Sequence, residues 1–196
     1  MGMRDYKNID LEINMSNLHL TRPCLEYMDS FREALVEYML EGVRDFAYPK
    51  VDSRWDVKRY LKRLKRLEVG KVVGHVASTS FWLVDGANYI ASGDIRHSLN
   101  ERLRMLGGNI SYGVRPSAWG QGVGTLNLAM LLKEAAKLGV REPLITCYEE
   151  NLASRKIIEK NGGVLMREVF NNVEGKQKLT RIYKIETSSS AVLTRV

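Results

Sequence analysis

Apolar residues along this chain recur with two spacings, and the switches between them mark out its elements. Leu25, Met28, Phe31, Leu35, Tyr38 and Met39 fall three or four apart and predict a helix over 24–41, ended by Gly42 or by the Tyr48-Pro49 turn. Val57, Tyr60, Leu61, Leu64 and Leu67 predict a second helix within 54–67, stopping near Gly70. Leu128, Leu131, Leu132, Ala135 and Leu138 line one side of a helix over 122–138, with Gly139 as its stop. Residues 151–161 form another, with Asn151 as its natural N-cap and Gly162 at its end. Strands are predicted over 18–22, 77–84, 89–96, 108–114, 144–148, 164–170 and 179–185. Asp85-Gly86 is a strong hairpin turn between two of them, and 171–175 turns the last pair. Residues 98–106 read as a short helix or a loop.

This order of elements predicts an α/β (α+β) fold with a mixed sheet and helices on both faces. No internal repeat or linker divides the 196 residues, so one domain over 18–187 is expected, with a polar segment over 1–17 and a frayed tail over 188–196.

The most informative stretch runs from Tyr112 to Thr125. A strand gives way to a Pro116-containing turn, then to Gly120, Gly122 and Gly124, and an amphipathic run follows at once. A glycine-rich turn opening a helix lets backbone N–H groups approach an anion, and the positive end of the helix dipole suits a phosphate or pyrophosphate. Two common phosphate motifs fail on spacing. The dinucleotide fingerprint needs G-x-G-x-x-G, whereas the glycines here read G-x-G-x-G; the P-loop needs a lysine before its Ser/Thr, and Gly124 stands before Thr125.

Trp119-Gly-Gln-Gly-Val-Gly124 resembles the acetyl-CoA motif of the GCN5-related N-acetyltransferases, [Q/R]-x-x-G-x-[G/A], at both glycine positions. Val114-Arg-Pro116 resembles that family's strand exit. Asn151-Leu-Ala-Ser154 and the later Asn161-Gly-Gly163 resemble its N-x-x-[A/S] helix and closing glycine, in the right order and separation. The resemblance is good over about 75–187 and loose over 18–70, and is nearest to a bacterial subgroup of predicted acetyltransferases. It implies an acyl-CoA N-acyltransferase fold, a mostly antiparallel sheet of six to seven strands whose central strands 4 and 5 splay apart. Those strands would be 108–114 and 144–148. It implies acetyl-CoA as co-substrate. The backbone of Tyr112 and Val114 would pair with the pantetheine amides. Trp119, Gly120, Gln121, Gly122, Val123, Gly124 and Thr125 would take the pyrophosphate, with Asn151 and Ser154 facing the cofactor arm. Asn151 is equally explained as a helix cap.

The implied reaction is attack of an amine on a thioester, which needs a free amine, a polarised carbonyl and a proton for the thiolate. The chain departs from the family pattern at three positions. Trp119 replaces the usual Arg or Gln, Ile158 stands where many members carry a proton-donating Tyr, and Asn109 stands where several carry Glu. Substitutes are His97 at the end of the third strand and Tyr148 at the end of the fifth, near the expected point of divergence, with Asn109 left to orient a substrate or water. Ser111 shares a strand face with Asn109 and offers a water relay, and Glu41, Glu149 and Glu150 are acidic candidates near the acceptor opening. Cys147 reads as a buried strand residue. No His/Cys/Asp cluster has ligand spacing, so no metal is expected.

Charge bears on the partner. Much of the +7 lies in 54–67, where Lys58, Arg59, Lys62, Arg63, Lys65 and Arg66 alternate with the apolar stripe. A solvated basic face is the simplest account; attraction of an acidic acceptor or of CoA is a second, and a nucleic-acid surface a third that lacks interleaved aromatics. The dense charge argues against polyamines as acceptors. The expected acceptor is a small-molecule or peptide amine, with a homodimer implied only by the family. No apolar run has the length of a membrane span, 1–17 lacks a signal-peptide core, and Cys24 and Cys147 make no disulfide framework, so the cytoplasm is the expected location. Two further readings stay open: an acyl-CoA-binding module without catalysis, and a nucleic-acid-associated protein using the basic helix.

Overall fold

The computed structural model describes residues 11, 13–43, 56–173 and 175–187. In chain order they form β1 (His19–Thr21), α1 (Met28–Leu40), α2 (Val57–Glu68), β2 (Ser78–Asp85), β3 (Asn88–Arg96), α3 (Glu101–Leu106) and β4 (Ile110–Val114). A single 3-10 turn over Pro116–Ala118 leads to α4 (Val123–Lys137), β5 (Leu144–Tyr148), α5 (Leu152–Lys160), β6 (Val164–Val173) and β7 (Lys176–Lys184). The Tyr48-Pro49 turn, Arg54 and Trp55 lie outside the described residues.

The strands form two antiparallel ladders, β1-β2-β3-β4 and β5-β7-β6. β4 and β5 are not paired, but they begin side by side. Asn109 N–H donates to the Leu144 carbonyl at 2.6 Å, and Leu144 N–H donates to Asn109 Oδ1 at 2.9 Å. The expected splay is therefore present, with its closed end at Asn109 and Leu144. Gly108 belongs to the same junction. Its φ is +62°, and a Cβ there would stand 2.2 Å from the Leu144 carbonyl oxygen, so only glycine allows this approach.

Alternation along the strands divides the core between two faces. Phe81, Ile95 and Ile110 pack with Leu128, Leu131, Leu132 and Ala135 of α4, Ile145 of β5 and Ile158 of α5. Gly93 lies under α4, where a Cβ would come within 2.2 Å of Leu131. Trp82, Val84 and Tyr89 face the other way and pack on Tyr27, Phe31, Leu35 and Tyr38, with Tyr60 and Leu61 of α2 at the margin. Phe31 stacks on Trp82 with ring centroids 4.5 Å apart.

The helix ends follow their caps. Asp56 accepts from Lys58 N–H at 2.8 Å, and the six basic side chains of α2 follow it. Asn151 Oδ1 accepts from Ser154 N–H at 2.9 Å. The last hairpin is longer than predicted. Asn171 and Asn172 stay in β6, and the turn falls later, where Gly175 N–H donates to Asn172 Oδ1.

Candidate functional site

From its closed end the gap between β4 and β5 widens toward Val114 and Tyr148, and the glycine turn follows β4 directly. Arg115 N–H donates to the Ile90 carbonyl of β3, so alternation turns the N–H and C=O of Tyr112 and Val114 to the gap side. Those are the groups that the family resemblance would give to a pantetheine arm. One is already engaged: Trp119 Nε1 donates to the Val114 carbonyl at 2.7 Å. An arm running along β4 is left with both groups of Tyr112 and the N–H of Val114.

The turn is shaped by two left-handed glycines, Gly120 at φ 76° and Gly122 at φ 80°, and a Cβ at either would meet nothing within 4 Å. Their role is conformational and leaves open space in front of the backbone. Gly122 is the N-cap of α4 and supplies no side-chain cap. Among the described residues no acceptor takes the N–H groups of Gly122, Val123 or Gly124, so the start of a 15-residue helix presents bare donors to that space. Gly124 serves packing instead: a Cβ there would lie 2.6 Å from Ile157 Cδ1 of α5. Thr125 continues the first turn, its N–H returning to the Gly122 carbonyl. Gln121 folds back, its Nε2 donating to the Ser117 carbonyl.

A buried ion pair fixes the turn to α1. Arg115 is fully buried; its Nε donates to Glu37 Oε1 at 2.6 Å and one terminal nitrogen to Ser30 Oγ at 2.9 Å. Glu37 Oε2 accepts from Ser117 N–H at 3.0 Å, so a single carboxylate holds both sides of the 3-10 turn. Sequence reading passed over Arg115, because its partner lies 78 residues away and a lone Arg reads as exposed.

On the α5 side the Tyr112 hydroxyl meets Ser154 Oγ at 2.8 Å, bridging the gap from β4 to the capped end of α5. Burial is the main cause that raises the Tyr112 pKa above the usual phenol range, against the pull of the Ser154 hydrogen bond. Asn151, Ser154 and Tyr112 thus form one hydrogen-bonded cluster beside the gap. Ile158 is fully buried one turn beyond Ser154. Burial also pushes the Cys147 thiol up to about 11, so it stays protonated and packs as an apolar residue.

The predicted catalytic residues are not brought together. Asn109 is engaged on every side: besides its contacts with Leu144, its Nδ2 donates to the Arg96 carbonyl at 3.1 Å. His97 lies at the closed end, its Nε2 2.9 Å from Thr79 Oγ1. Tyr148 stands at the wide end, about 13 Å of strand from the point of divergence rather than near it, with Lys178 Nζ 4.4 Å from its ring centroid. Glu149 is paired with Arg155 and Arg181, and Glu150 with Lys178. Glu41 is the C-cap of α1. Among the described residues no cluster of His, Cys, Asp or Glu is set to hold a metal ion, and no helix is long and apolar enough to cross a membrane.

One acidic group was missed. Asp94 of β3 faces Ser80 of β2 and Ser111 of β4 across both ladders. The sequence signal was a carboxylate inside an otherwise uncharged strand, Tyr89-Ile-Ala-Ser-Gly-Asp-Ile95.

Comparison with known proteins agrees with this fold. The acetyltransferase (GNAT) domain model matches residues 18–164. The chain belongs to this family, and is by class an acyltransferase. Solved structures share the fold at low identity. RimL, a ribosomal alpha-N-protein acetyltransferase in complex with coenzyme A, superposes with a TM-score of 0.68 at 15% identity, over 88% of this chain and 97% of its own. MccE, a microcin self-immunity acetyltransferase in complex with acetyl-CoA and AMP, gives 0.67 at 15% identity, over 87% and 92%. An N-acetyltransferase from Staphylococcus aureus gives 0.61 at 13% identity, over 88% and 99%. Among curated proteins no sequence matches significantly.

Proposed function

We propose that the protein moves the acetyl group of acetyl-CoA to a primary amine by direct attack on the thioester. The observation that carries this reading is the gap between β4 and β5, closed at Asn109 and opening onto the uncapped start of α4. The pyrophosphate sits on the N–H groups from Gly122 to Gly124, where opposite charge meets the helix dipole. The arm lies along Tyr112 and Val114 N–H, which directs the thioester toward the closed end. Asn151 acts through its cap, keeping Ser154 against the Tyr112 phenol.

In this reading Tyr112 takes the place that Ile158 leaves empty. Its hydroxyl reaches the α5 side of the gap from the opposite wall and can donate to the leaving thiolate. Tyr148 is a wall of the wide end, and His97 and Asn109 secure the closed end. Calorimetry with acetyl-CoA, followed by thiol release with a panel of primary amines, tests the assignment. Binding with amine-dependent thiol release is expected. Binding without turnover across the panel makes the protein an acyl-CoA-binding module, and absence of binding refutes the cofactor assignment.

A further inference from the structure

Ser80, Asp94 and Ser111 stand directly opposite one another on β2, β3 and β4. Their neighbours Phe81, Ile95 and Ile110 belong to the core beneath α4, so this polar row lies on the other face, under α2. The Ser80 hydroxyl donates to Asp94 Oδ1, and Ser111 stands opposite the same carboxylate on the other neighbouring strand. A carboxylate is costly to place between strands that otherwise carry Trp82 and Tyr89 on this face. Desolvation, the main cause, raises its pKa above the usual carboxylate range; Ser80, Arg96 and Ser111 pull it back. From α2 it is faced by the Tyr60 phenol, whose pKa is raised by burial and then by Asp94.

The row runs from β4 to a cavity beside β2. Ser111 lies on β4, the strand that walls the gap, beside Tyr112. At the other end a cavity of about 130 Å³ opens onto Ser80, lined by Arg22, Leu61, Leu64, Lys65 and Glu68. Its charged rim includes the Arg22–Glu68 ion pair.

We propose that Ser111 and Asp94 form the proton relay for the acceptor amine, an inference that rests on the acetyltransfer reading. As the amine nitrogen bonds to the thioester carbon, its proton passes to Ser111 Oγ, and the Ser111 proton passes to Asp94. The C–S bond then breaks with its electron pair on sulfur. Tyr112 donates the proton that the thiolate takes, and Asp94 returns its proton through solvent to the Tyr112 oxygen. Amine and acetyl-CoA give amide and free thiol, with no other reactant.

The ionised form of Asp94 is the active one, so the rate climbs as pH rises through its folded-state pKa. The same raised pKa gives the opposite sign for stability. A carboxyl that holds its proton more tightly when folded contributes stability at low pH, and that contribution is lost as pH rises through the folded value. At pH 8 Asp94→Asn is therefore expected to keep or raise Tm, since the amide still accepts from a serine.

The test uses the full chain, with Asp94→Asn and Ser111→Ala separately and together. Acetyl-CoA affinity, Tm and the pH profile of kcat/KM for an amine that the wild type acetylates are measured. A fall in kcat/KM of about 100-fold or more, loss of the acidic limb, acetyl-CoA affinity within about twofold and an undiminished Tm are expected for Asp94→Asn. The double variant should be no worse than the weaker single one. A retained acidic limb, or a Tm that falls together with activity, overturns the relay while leaving acetyl transfer intact. A wild type that binds acetyl-CoA but acetylates no amine overturns both.

Discussion

Replacing Asn109 by alanine separates a structural from a chemical role for that side chain. Asn109 Oδ1 accepts from Leu144 N–H at 2.9 Å and its Nδ2 donates to the Arg96 carbonyl at 3.1 Å, in a side chain only 7% exposed. Removing the acceptor leaves a backbone N–H unpaired, a cost of about 1–3 kcal/mol, and losing the donor adds about 1 kcal/mol. The bond from Asn109 N–H to the Leu144 carbonyl survives, so the expected loss stays at about 2–4 kcal/mol. For a chain of this size that lowers Tm by about 4–16 °C. Urea unfolding gives the free energy, and calorimetry shows whether the loosened closed end weakens acetyl-CoA binding. Turnover, measured at a temperature where the variant is folded, should persist. Asn109→Asp refines the test. The introduced carboxylate can accept from Leu144 but repels the Arg96 carbonyl, which raises its folded pKa. Stability then present at low pH is lost as pH rises through that value. Unfolding within about 0.5 kcal/mol of wild type, with turnover down about 100-fold, would refute the structural role and return Asn109 to the chemistry.

Three more outcomes check other parts of the site. Gly122→Glu should weaken acetyl-CoA binding strongly, because it puts a side chain at φ 80° and a negative charge beside the proposed pyrophosphate; unchanged affinity in calorimetry would remove the turn from the binding site. Glu37→Ala should cost about 3–5 kcal/mol, since it strands the fully buried Arg115, and a near-neutral change would show that the pair does not organise the turn. Tyr112→Phe should lower kcat more than it raises KM, whereas Tyr148→Phe should leave kcat close to wild type; the reverse ranking would move the proton donor to the wide end.

Local patterns carried the elements and the turn, and long-range chemistry stayed hidden. The stripe from Leu128 to Ala135 and the Asn151 cap appear where spacing and side-chain chemistry put them, because both are decided within a few residues. Strand β5 matched its prediction at both ends, since a short apolar run between turns leaves little choice. The last hairpin ran longer because Asn171 and Asn172 pair with Lys178 and Gln177, which local turn preference does not weigh. The glycine turn proposed for the cofactor was legible as a motif built on glycine conformation. The side proposed for catalysis was not: Asp94 comes opposite Ser80 and Ser111 only once three strands are in register, and Arg115 meets Glu37 only once α1 is docked. The family pattern drew attention to Asn109 and Ile158, the positions where this chain had replaced the usual groups.

The half-exposed indole of Trp119, tied to the Val114 carbonyl beside the glycine turn, has an optical consequence. Indole emission responds to wetting and to hydrogen bonding at Nε1, and this ring sits where the arm and the pyrophosphate meet in the proposed complex. Trp82, almost fully buried under α1, is a steady background in the same spectrum. The residue that departs from the usual Arg or Gln of the turn therefore gives the chain an intrinsic fluorophore at the mouth of the gap. Occupancy there can be followed by titration in the unlabelled protein, before any acceptor has been identified.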